Sequence, residues 1–305
     1  MEVLNAINQI PKLVELYNLD KISIIYNMTE TFKTNKKNLE IQPIEIDETK
    51  FNKVELEPFV FPSLIVGLGK VASGKTTFMA NLVRILEPVF KGNVILFSPT
   101  LANDPILDKL IDDDEILEYF DNYSNDTLRR VLEVIGDSED EHEKYLIIFD
   151  DILGSLPRAN SRDSKWFDKF ISTYRHGGGI AGEGQVSLMF FVQYFNSLTP
   201  VLRTNASYYA LLGQQGEKQL KKLSEELHAA CGDTEEDFFR VYNEAKRKPY
   251  DFLLMDFRKL KAYRNLTDLL YSKHDEDGNK KEQGEARKKP QEQGEQNEVR
   301  RDKKN

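Results

Sequence analysis

The chain has 305 residues, of which 40% are hydrophobic, and a formal net charge of −9. The hydrophobic content suffices for a packed core, and the acidic charge excludes a protein coated in basic surface, although it leaves room for a local basic groove. The single cysteine, Cys231, and four scattered histidines offer neither a disulfide nor a metal cluster, and no apolar run approaches the ~20 residues of a membrane span. These features predict a soluble, intracellular protein.

The first 56 residues predict an N-terminal appendage, with helix-like spacing over Val3–Leu16 and a short strand over Lys21–Tyr26. From residue 57 the pattern becomes that of an α/β domain, which we place at residues 57–265.

A phosphate-binding loop opens this domain. An apolar run over Phe61–Val66 predicts a buried strand, and a loop with the pattern G-x-x-x-x-G-K-[ST] follows over Gly69–Thr76. The residues after it have amphipathic helix spacing, so strand, loop and helix occur in the order that a P-loop requires. The alternative is a glycine turn that happens to carry a lysine. We expect ATP to contact the loop and the start of the helix, namely Gly69, Ser73, Gly74, Lys75, Thr76 and Thr77.

A second motif would supply the carboxylate that Mg²⁺ needs. The apolar run Tyr145–Phe149 ends in Asp150 and Asp151, the arrangement known as Walker B. We predict that Asp150 and the Thr76 hydroxyl hold Mg²⁺ and that Asp151 acts as the general base on the attacking water. The alternative for two adjacent carboxylates is a turn or a helix cap.

The other predicted elements alternate between strands and helices, which is typical of a doubly wound, mostly parallel sheet. They are, with the Walker-B strand among them, a strand over Gly92–Ser98, a polar Asp-rich connection, helices over Leu128–Ile135 and Ser164–Tyr174, strands over Val186–Val192 and Ala206–Leu212, helices over 216–231 and 234–246, and a last strand over Asp251–Phe257.

Three polar residues near these strands are further catalytic candidates. The strand Val186–Val192 ends in Gln193, which would contact the γ-phosphate or orient the water if this strand lies between the P-loop and Walker-B strands, as in additional-strand NTPases. Arg175 and Arg203 each lie about one loop from this strand in sequence, and either would suit the phosphates of a neighbouring subunit. The alternative for each arginine is a structural salt bridge.

Residues 273–305 carry ten Lys and Arg, nine Asp and Glu, and almost no apolar side chains. Such a composition predicts a disordered, charged C-terminal tail. The tail is either a tether for a partner or nucleic acid, or simply a solvated extension.

Together these residues resemble a known family. The pieces are Gly69–Thr76, Phe97–Thr100, Phe149–Asp151, Arg175-His176, Gln193 and Leu198–Ala206. They are similar to the poxvirus-type genome-packaging ATPases of large DNA viruses and virophages, in the FtsK–HerA superfamily, over residues 57–260. The glycine-rich link Gly177–Gln185 is longer than the connection typical of the family, and it is either a DNA-facing element or a flexible insertion.

The resemblance implies an α/β P-loop NTPase with a RecA/FtsK-like core that hydrolyses ATP with Mg²⁺. It implies a homo-oligomeric ring, hexameric or pentameric, that moves double-stranded DNA into a capsid without sequence preference. In such a ring Gln193 would be the sensor, Arg175 the leading arginine finger and Arg203 the second candidate. Capsid portal or vertex proteins would be further partners, and the location would be the host cytoplasm (the virus factory), the nucleus or the virion. The alternatives are a plasmid or cellular FtsK–HerA-like translocase and a nucleotide-dependent interaction switch.

Overall fold

A computed structural model describes residues 54–100, 104–152 and 162–273 of the chain. The strands, in chain order, are β1 Val54–Leu56, β2 Phe59–Phe61, β3 Leu64–Leu68, β4 Val94–Phe97, β5 Glu118–Phe120, β6 Tyr145–Asp150, β7 Val186–Val192, β8 Tyr208–Leu211, β9 Leu253–Asp256, β10 Lys261–Arg264 and β11 Asp268–Ser272. The α-helices are α1 Lys75–Ile85, α2 Glu87–Phe90, α3 Pro105–Asp112, α4 Asn125–Gly136, α5 Arg162–Thr173, α6 Pro200–Asn205, α7 Glu217–Leu227 and α8 Glu235–Ala245.

Nine strands form one sheet in the order β11-β10-β9-β8-β3-β7-β6-β4-β5. The six strands from β8 to β5 are parallel, whereas β9, β10 and β11 each run antiparallel to the neighbour before them. The strands β3, β4, β6 and β7 consist of buried residues only, as expected when helices cover both faces of a parallel sheet. The prediction of a mostly parallel α/β sheet is confirmed.

Each face of the sheet has its own hydrophobic core. On one face Leu132 of α4 and Phe170 of α5 pack with Phe149 of β6. On the other, Met79 of α1 and Leu107 of α3 belong to a second cluster. Helices on both faces make the fold doubly wound.

Strand β7 lies between β3 and β6, with Leu68 beside Val192 and Asp150 beside Phe191. This is the additional strand predicted between the P-loop and Walker-B strands. Since all three strands are parallel, the loops that follow them leave from the same edge of the sheet.

The first strand was predicted over Phe61–Val66, and this prediction is wrong in its bounds. The chain breaks at Pro62 and Ser63, because proline has no N–H to donate to a ladder. Phe61 belongs instead to β2, which pairs antiparallel with β1 in a separate two-stranded sheet. The P-loop strand itself begins at Leu64.

Several elements were missed. The Asp-rich connection contains α3, whose amino end is capped by the Asp104 carboxylate accepting a hydrogen bond from the Ile106 N–H at 2.9 Å, and also the edge strand β5. The strand predicted to be last, over Asp251–Phe257, corresponds to β9 and is followed by β10 and β11. Charged residues such as Lys261 and Asp268 interrupt the apolar pattern of these short strands.

Two predicted regions lie outside the described residues. They are the N-terminal appendage, apart from residues 54–56, and the charged tail beyond Lys273. In the part of the chain that the structure describes, no helix combines the length and apolar character needed to cross a bilayer.

Candidate active site at the carboxyl edge of the sheet

The P-loop is anchored where β3 and β7 end. The Gly69 N–H donates to the Val192 carbonyl at 3.0 Å, which joins the first residue of the loop to the strand beside it. A Cβ atom on Gly69 would lie 2.2 Å from Ser73 Oγ, and one on Gly213, which follows β8, would lie 2.7 Å from Ser73 Cβ. The loop therefore packs closely around Ser73, and a side chain at either glycine position would require Ser73 to move.

The loop ends at Gly74, which has a φ of 86° and caps α1. The first helical hydrogen bond is donated by Phe78 to the Gly74 carbonyl at 2.8 Å. The N–H groups of Lys75, Thr76 and Thr77 therefore have no acceptor within the helix. Unpaired N–H groups and the positive end of the helix dipole form a site for phosphate oxygens.

Three predicted residues meet beside this loop. Lys75 Nζ lies 3.7 Å from Asp151 Oδ2, and Gln193 Nε2 donates a hydrogen bond to the same oxygen at 3.1 Å. Asp151 has a φ of 47°, unusual for a residue other than glycine, and its N–H donates to the Phe191 carbonyl at 3.0 Å. The tight turn after β6 thus aims the Asp151 carboxylate at the P-loop lysine and at Gln193.

Asp150 is buried one residue earlier. Its Oδ2 accepts hydrogen bonds from Ser98 Oγ at 3.0 Å and, more weakly, from Thr100 Oγ1 at 3.4 Å. Burial, and then the nearby charge of Asp151, raise the pKa of Asp150 to about 6, while the Ser98 hydrogen bond and the Lys75 charge act in the opposite direction. A cation close to this carboxylate would favour its ionised form.

These residues fit Mg²⁺. The buried Asp150 carboxylate and the Thr76 hydroxyl are hard oxygen donors, and Mg²⁺ in nucleotide sites uses one or two carboxylates together with phosphate oxygens and waters. Among the described residues no group of three or more His, Cys, Asp and Glu side chains could hold a metal by itself. A metal here would therefore depend on the nucleotide to complete its coordination.

Arg175 is not brought together with these residues. Its Nη2 donates to Ser207 Oγ at 3.3 Å, and the Ser207 N–H donates to the Leu64 carbonyl at 2.8 Å, at the start of β3. Arg175 is thus exposed at the amino edge of the sheet, whereas the P-loop is at the carboxyl edge. A residue that precedes a parallel strand enters the sheet at the end opposite to a residue that follows it, so Arg175 lies far from Gln193 within one subunit.

Arg203 makes its contacts within its own subunit. Its Nε lies 3.2 Å from Glu226 Oε2, and its guanidinium lies 5.2 Å from the centre of the Phe195 ring. The Tyr209 hydroxyl also donates to the Arg203 carbonyl at 2.9 Å. This arrangement is that of a structural salt bridge, and a role for either arginine on a neighbour's nucleotide stays a prediction.

The glycine-rich link folds back on itself beside Arg175. The Gly184 N–H donates to the Arg175 carbonyl at 2.8 Å, and the Gly182 N–H donates to Gln185 Oε1 at 2.6 Å. Lys144 Nζ donates to the Gly184 carbonyl at 2.9 Å. The link therefore forms a hydrogen-bonded loop at the amino edge of the sheet.

A pair of glutamines was missed by the sequence analysis. Gln215 Nε2 donates to the carbonyls of Leu212, at 2.7 Å, and Leu68, at 3.4 Å, and Gln215 Oε1 accepts from Gln219 Nε2 at 2.5 Å. Gln219 Oε1 in turn accepts from the Phe195 N–H at 3.4 Å. The chain of bonds connects the end of the P-loop strand to the segment after Gln193. No sequence pattern separates these two glutamines from ordinary polar residues after a strand.

The chain was compared with known proteins. The family model described as poxvirus A32 protein matches residues 48–226, more than half of the chain. No curated protein sequence matches it. Among solved structures, the genome packaging NTPase B204 from Sulfolobus turreted icosahedral virus 2, in complex with AMP, is 14% identical, with a TM-score of 0.49 over 68% of this chain and 98% of that one.

The same NTPase in complex with ATP-gammaS is 15% identical, with a TM-score of 0.49 and the same coverage of both chains. The conjugation coupling protein TcpA of pCW3, in its monomer form with ATPgS, is 10% identical, with a TM-score of 0.44 over 76% of this chain and 69% of that one. The family match confirms the resemblance drawn from the P-loop, Walker-B and Gln193 motifs. The chain belongs to the poxvirus A32 protein family.

Proposed function

We propose that the chain is an ATP-hydrolysing motor that moves double-stranded DNA and packages a viral genome into a capsid. The observation that carries this function is the convergence of Lys75, Asp151 and Gln193 at the carboxyl ends of three adjacent parallel strands. Membership of the poxvirus A32 family supports the choice of DNA packaging among the activities that such a site could power.

Each site residue has its own role in ATP binding or hydrolysis. Lys75 binds the β- and γ-phosphates, which the N–H groups of the loop and of the first turn of α1 also hold. Thr76 and Asp150 would hold Mg²⁺, which would supply positive charge to the phosphates. Asp151 takes the proton of the attacking water, and Gln193 orients that water against the γ-phosphate.

The contact between Lys75 and Asp151 bears on how ATP would bind. Lys75 Nζ lies 3.7 Å from Asp151 Oδ2. A triphosphate in the P-loop competes with Asp151 for the lysine, because both are anions. ATP binding therefore releases the Asp151 carboxylate to act on water, so that the base becomes available only when the substrate is present.

The motor works as a ring of identical subunits, hexameric or pentameric. Arg175, exposed at the amino edge of the sheet, is the leading candidate for an arginine that reaches the nucleotide of a neighbour, and Arg203 is the second. Double-stranded DNA is contacted through its phosphates without sequence preference. Capsid portal or vertex proteins are the further partners, and the motor acts in the virus factory of the host cytoplasm, in the nucleus or on the virion.

The test is ATP turnover measured with and without duplex DNA. We expect duplexes of unrelated sequence to stimulate turnover equally, and added salt to remove the stimulation as counterion release weakens binding. Turnover per subunit should rise with protein concentration as rings assemble. Lys75→Ala is the control and should be inactive throughout. A slow rate that depends on neither DNA nor protein concentration would reject the motor and favour a nucleotide-dependent interaction switch.

A further inference from the structure

A cavity of about 870 Å³ opens directly beside the P-loop. One wall consists of Gly74, Thr77 and Phe78, at the end of the loop and the start of α1. The opposite wall comes from much later in the chain and includes Tyr250, before β9, and Leu266, in the turn between β10 and β11. The volume is within the range of small-molecule sites, and the cavity adjoins the N–H groups that face the phosphates.

Tyr250 has an unusual position at the mouth of this cavity. Its side chain is 76% exposed, and within the described residues it makes neither a hydrogen bond nor a ring contact. Its backbone has a φ of 68°, a left-handed conformation that is strained for a bulky residue. Tyr250 Cδ1 lies 3.5 Å from the point that a Cβ on Gly74 would occupy. Strain of this kind persists where the surrounding structure imposes it and is frequent at ligand-binding positions.

The segment that presents Tyr250 is held firmly. The Phe252 N–H donates to Asn265 Oδ1 at 3.1 Å, and the Asn265 N–H donates to the Phe252 carbonyl at 2.9 Å. Asn265 Nδ2 donates to Asp251 Oδ1 at 3.2 Å. These bonds tie residues 251 and 252 to the turn after β10, so the backbone next to the tyrosine is held in place.

The floor of the cavity is aromatic. The Phe78 ring makes edge contacts with Phe252, at 4.8 Å between ring centres, and with Phe191, at 6.1 Å. Two side-chain amides line the cavity, and both make hydrogen bonds within the chain: Asn81 Nδ2 donates to the Thr77 carbonyl, and the Asn265 amide bonds to Phe252 and Asp251. A ligand in the cavity would thus be recognised through stacking and shape, which suits a flat heteroaromatic ring.

We propose that this cavity binds the base and ribose of a nucleotide, with the base stacked on Tyr250. The proposal rests on the function proposed above, because it places the phosphates of the same nucleotide in the P-loop. Two distant parts of the chain then bind different parts of the nucleotide: the loop and α1 hold its phosphates, and the segment from Tyr250 to Leu266 holds its base.

The experiment compares two ligands by calorimetric titration in the presence of Mg²⁺. ATP has phosphates, ribose and base, whereas inorganic tripolyphosphate has only the phosphates. Stacking of a base on an aromatic side chain corresponds to roughly a 5- to 150-fold change in affinity on substitution by alanine. Tyr250→Ala should therefore weaken ATP binding by this factor and leave tripolyphosphate binding unchanged, while Tyr250→Phe should bind both ligands as the wild type does.

Three control variants complete the design. Lys75→Ala should weaken the binding of both ligands. Tyr119→Ala removes another exposed tyrosine, on the edge strand β5, and should change neither. Thr267→Trp places a large side chain on the exposed rim of the cavity and should weaken ATP alone. The thermal midpoint of each variant checks that the chain is folded.

The outcomes separate the two proposals. Equal loss of ATP and tripolyphosphate in Tyr250→Ala, or no loss of either, would overturn the base site. A wild-type chain that binds tripolyphosphate as tightly as ATP would also overturn it, while leaving the P-loop assignment standing. A wild-type chain that binds neither ligand would reject the proposed function and the base site together.

Discussion

Gln193 Nε2 lies 3.1 Å from Asp151 Oδ2, so the residue that follows the additional strand holds the carboxylate that follows the Walker-B strand. The same oxygen faces Lys75 at 3.7 Å. Two donors near one carboxylate oxygen orient Asp151 but also occupy that oxygen. A triphosphate bound to Lys75 would remove one donor and leave the other, so we expect Asp151 and Gln193 to have separable effects on binding and on turnover.

Asp151→Asn should retain MgATP binding and lose turnover. The amide cannot accept the proton of the attacking water, and a general base contributes about 10²–10⁴ in rate. Affinity should stay equal to that of the wild type or increase, because Lys75 no longer has a carboxylate competing with the phosphates. Calorimetry and steady-state turnover check the two parts. Hydrolysis near the wild-type rate would show that Asp151 is not the base.

Gln193→Leu should lower turnover by about 10²–10³, the usual effect of removing one positioned hydrogen-bond donor. The change keeps the size of the side chain but leaves the Asp151 carboxylate without this donor. Gln214→Leu, at an exposed glutamine after β8, is the matched control and should not change the rate. If both variants behave alike, Gln193 has no special part in hydrolysis.

The arginines can be separated by mixing variants. Arg175→Ala has an intact P-loop, and Lys75→Ala has an intact arginine. If Arg175 acts on a neighbour, mixed rings should recover activity that neither variant has alone, since an arginine finger contributes on the order of 10³–10⁵ in rate. Lack of recovery at any mixing ratio would remove Arg175 as the finger.

Arg203 needs a different control because of its ion pair with Glu226. Glu226→Gln breaks the same pair but keeps the arginine. If Arg203 is a finger, Arg203→Ala should lose turnover and Glu226→Gln should keep it. If the pair is only structural, both variants should show the same modest fall in thermal midpoint and similar turnover.

Asp150 should make the stability of the metal-free chain depend on pH. Its pKa is raised from 3.8 to about 6 by folding, so the folded state binds this proton more tightly than the unfolded state. The resulting stabilisation is present below about pH 4 and is lost as the pH rises through about 6. At ~1.4 kcal/mol for each pKa unit, the loss is on the order of 3 kcal/mol.

The measurement is the free energy of unfolding of wild type minus that of Asp150→Asn, in a chelator, from about pH 4 to about pH 8. This difference should fall across that interval, since the variant has no proton to release at this site. A flat difference would mean that the Asp150 carboxyl titrates normally in the folded chain.

The sequence predicted the parts of the fold that consist of uninterrupted apolar strands. Strand β7 has the predicted bounds, Val186–Val192, because every residue in it is buried and the chain turns sharply after it. Strands β10 and β11 were missed because they are short and lie towards one side of the sheet. Their charged residues also interrupt the alternation of apolar and polar side chains that is typical of a strand. The order of the motifs along the strands also predicted that the P-loop, Asp151 and Gln193 lie at the same edge of the sheet.

Motif spacing did not locate Arg175. Its distance from β7 along the chain is short, but strand direction puts it at the other end of the sheet, so proximity in sequence was misleading. Tyr250 could not be identified as a candidate binding residue from the sequence, for another reason. It was singled out because its exposed ring lies beside Gly74, 176 residues earlier, and no local sequence pattern predicts such a long-range contact.

The family match ends at residue 226, whereas the cavity wall formed by Tyr250, Leu266 and Thr267 lies beyond it. The residues proposed to hydrolyse the nucleotide and this wall of the proposed base site thus come from separate parts of the chain that meet only in the folded protein. If this wall binds the base, substitutions in it would change the nucleotide preference of the chain while the P-loop and Walker-B motifs stay the same.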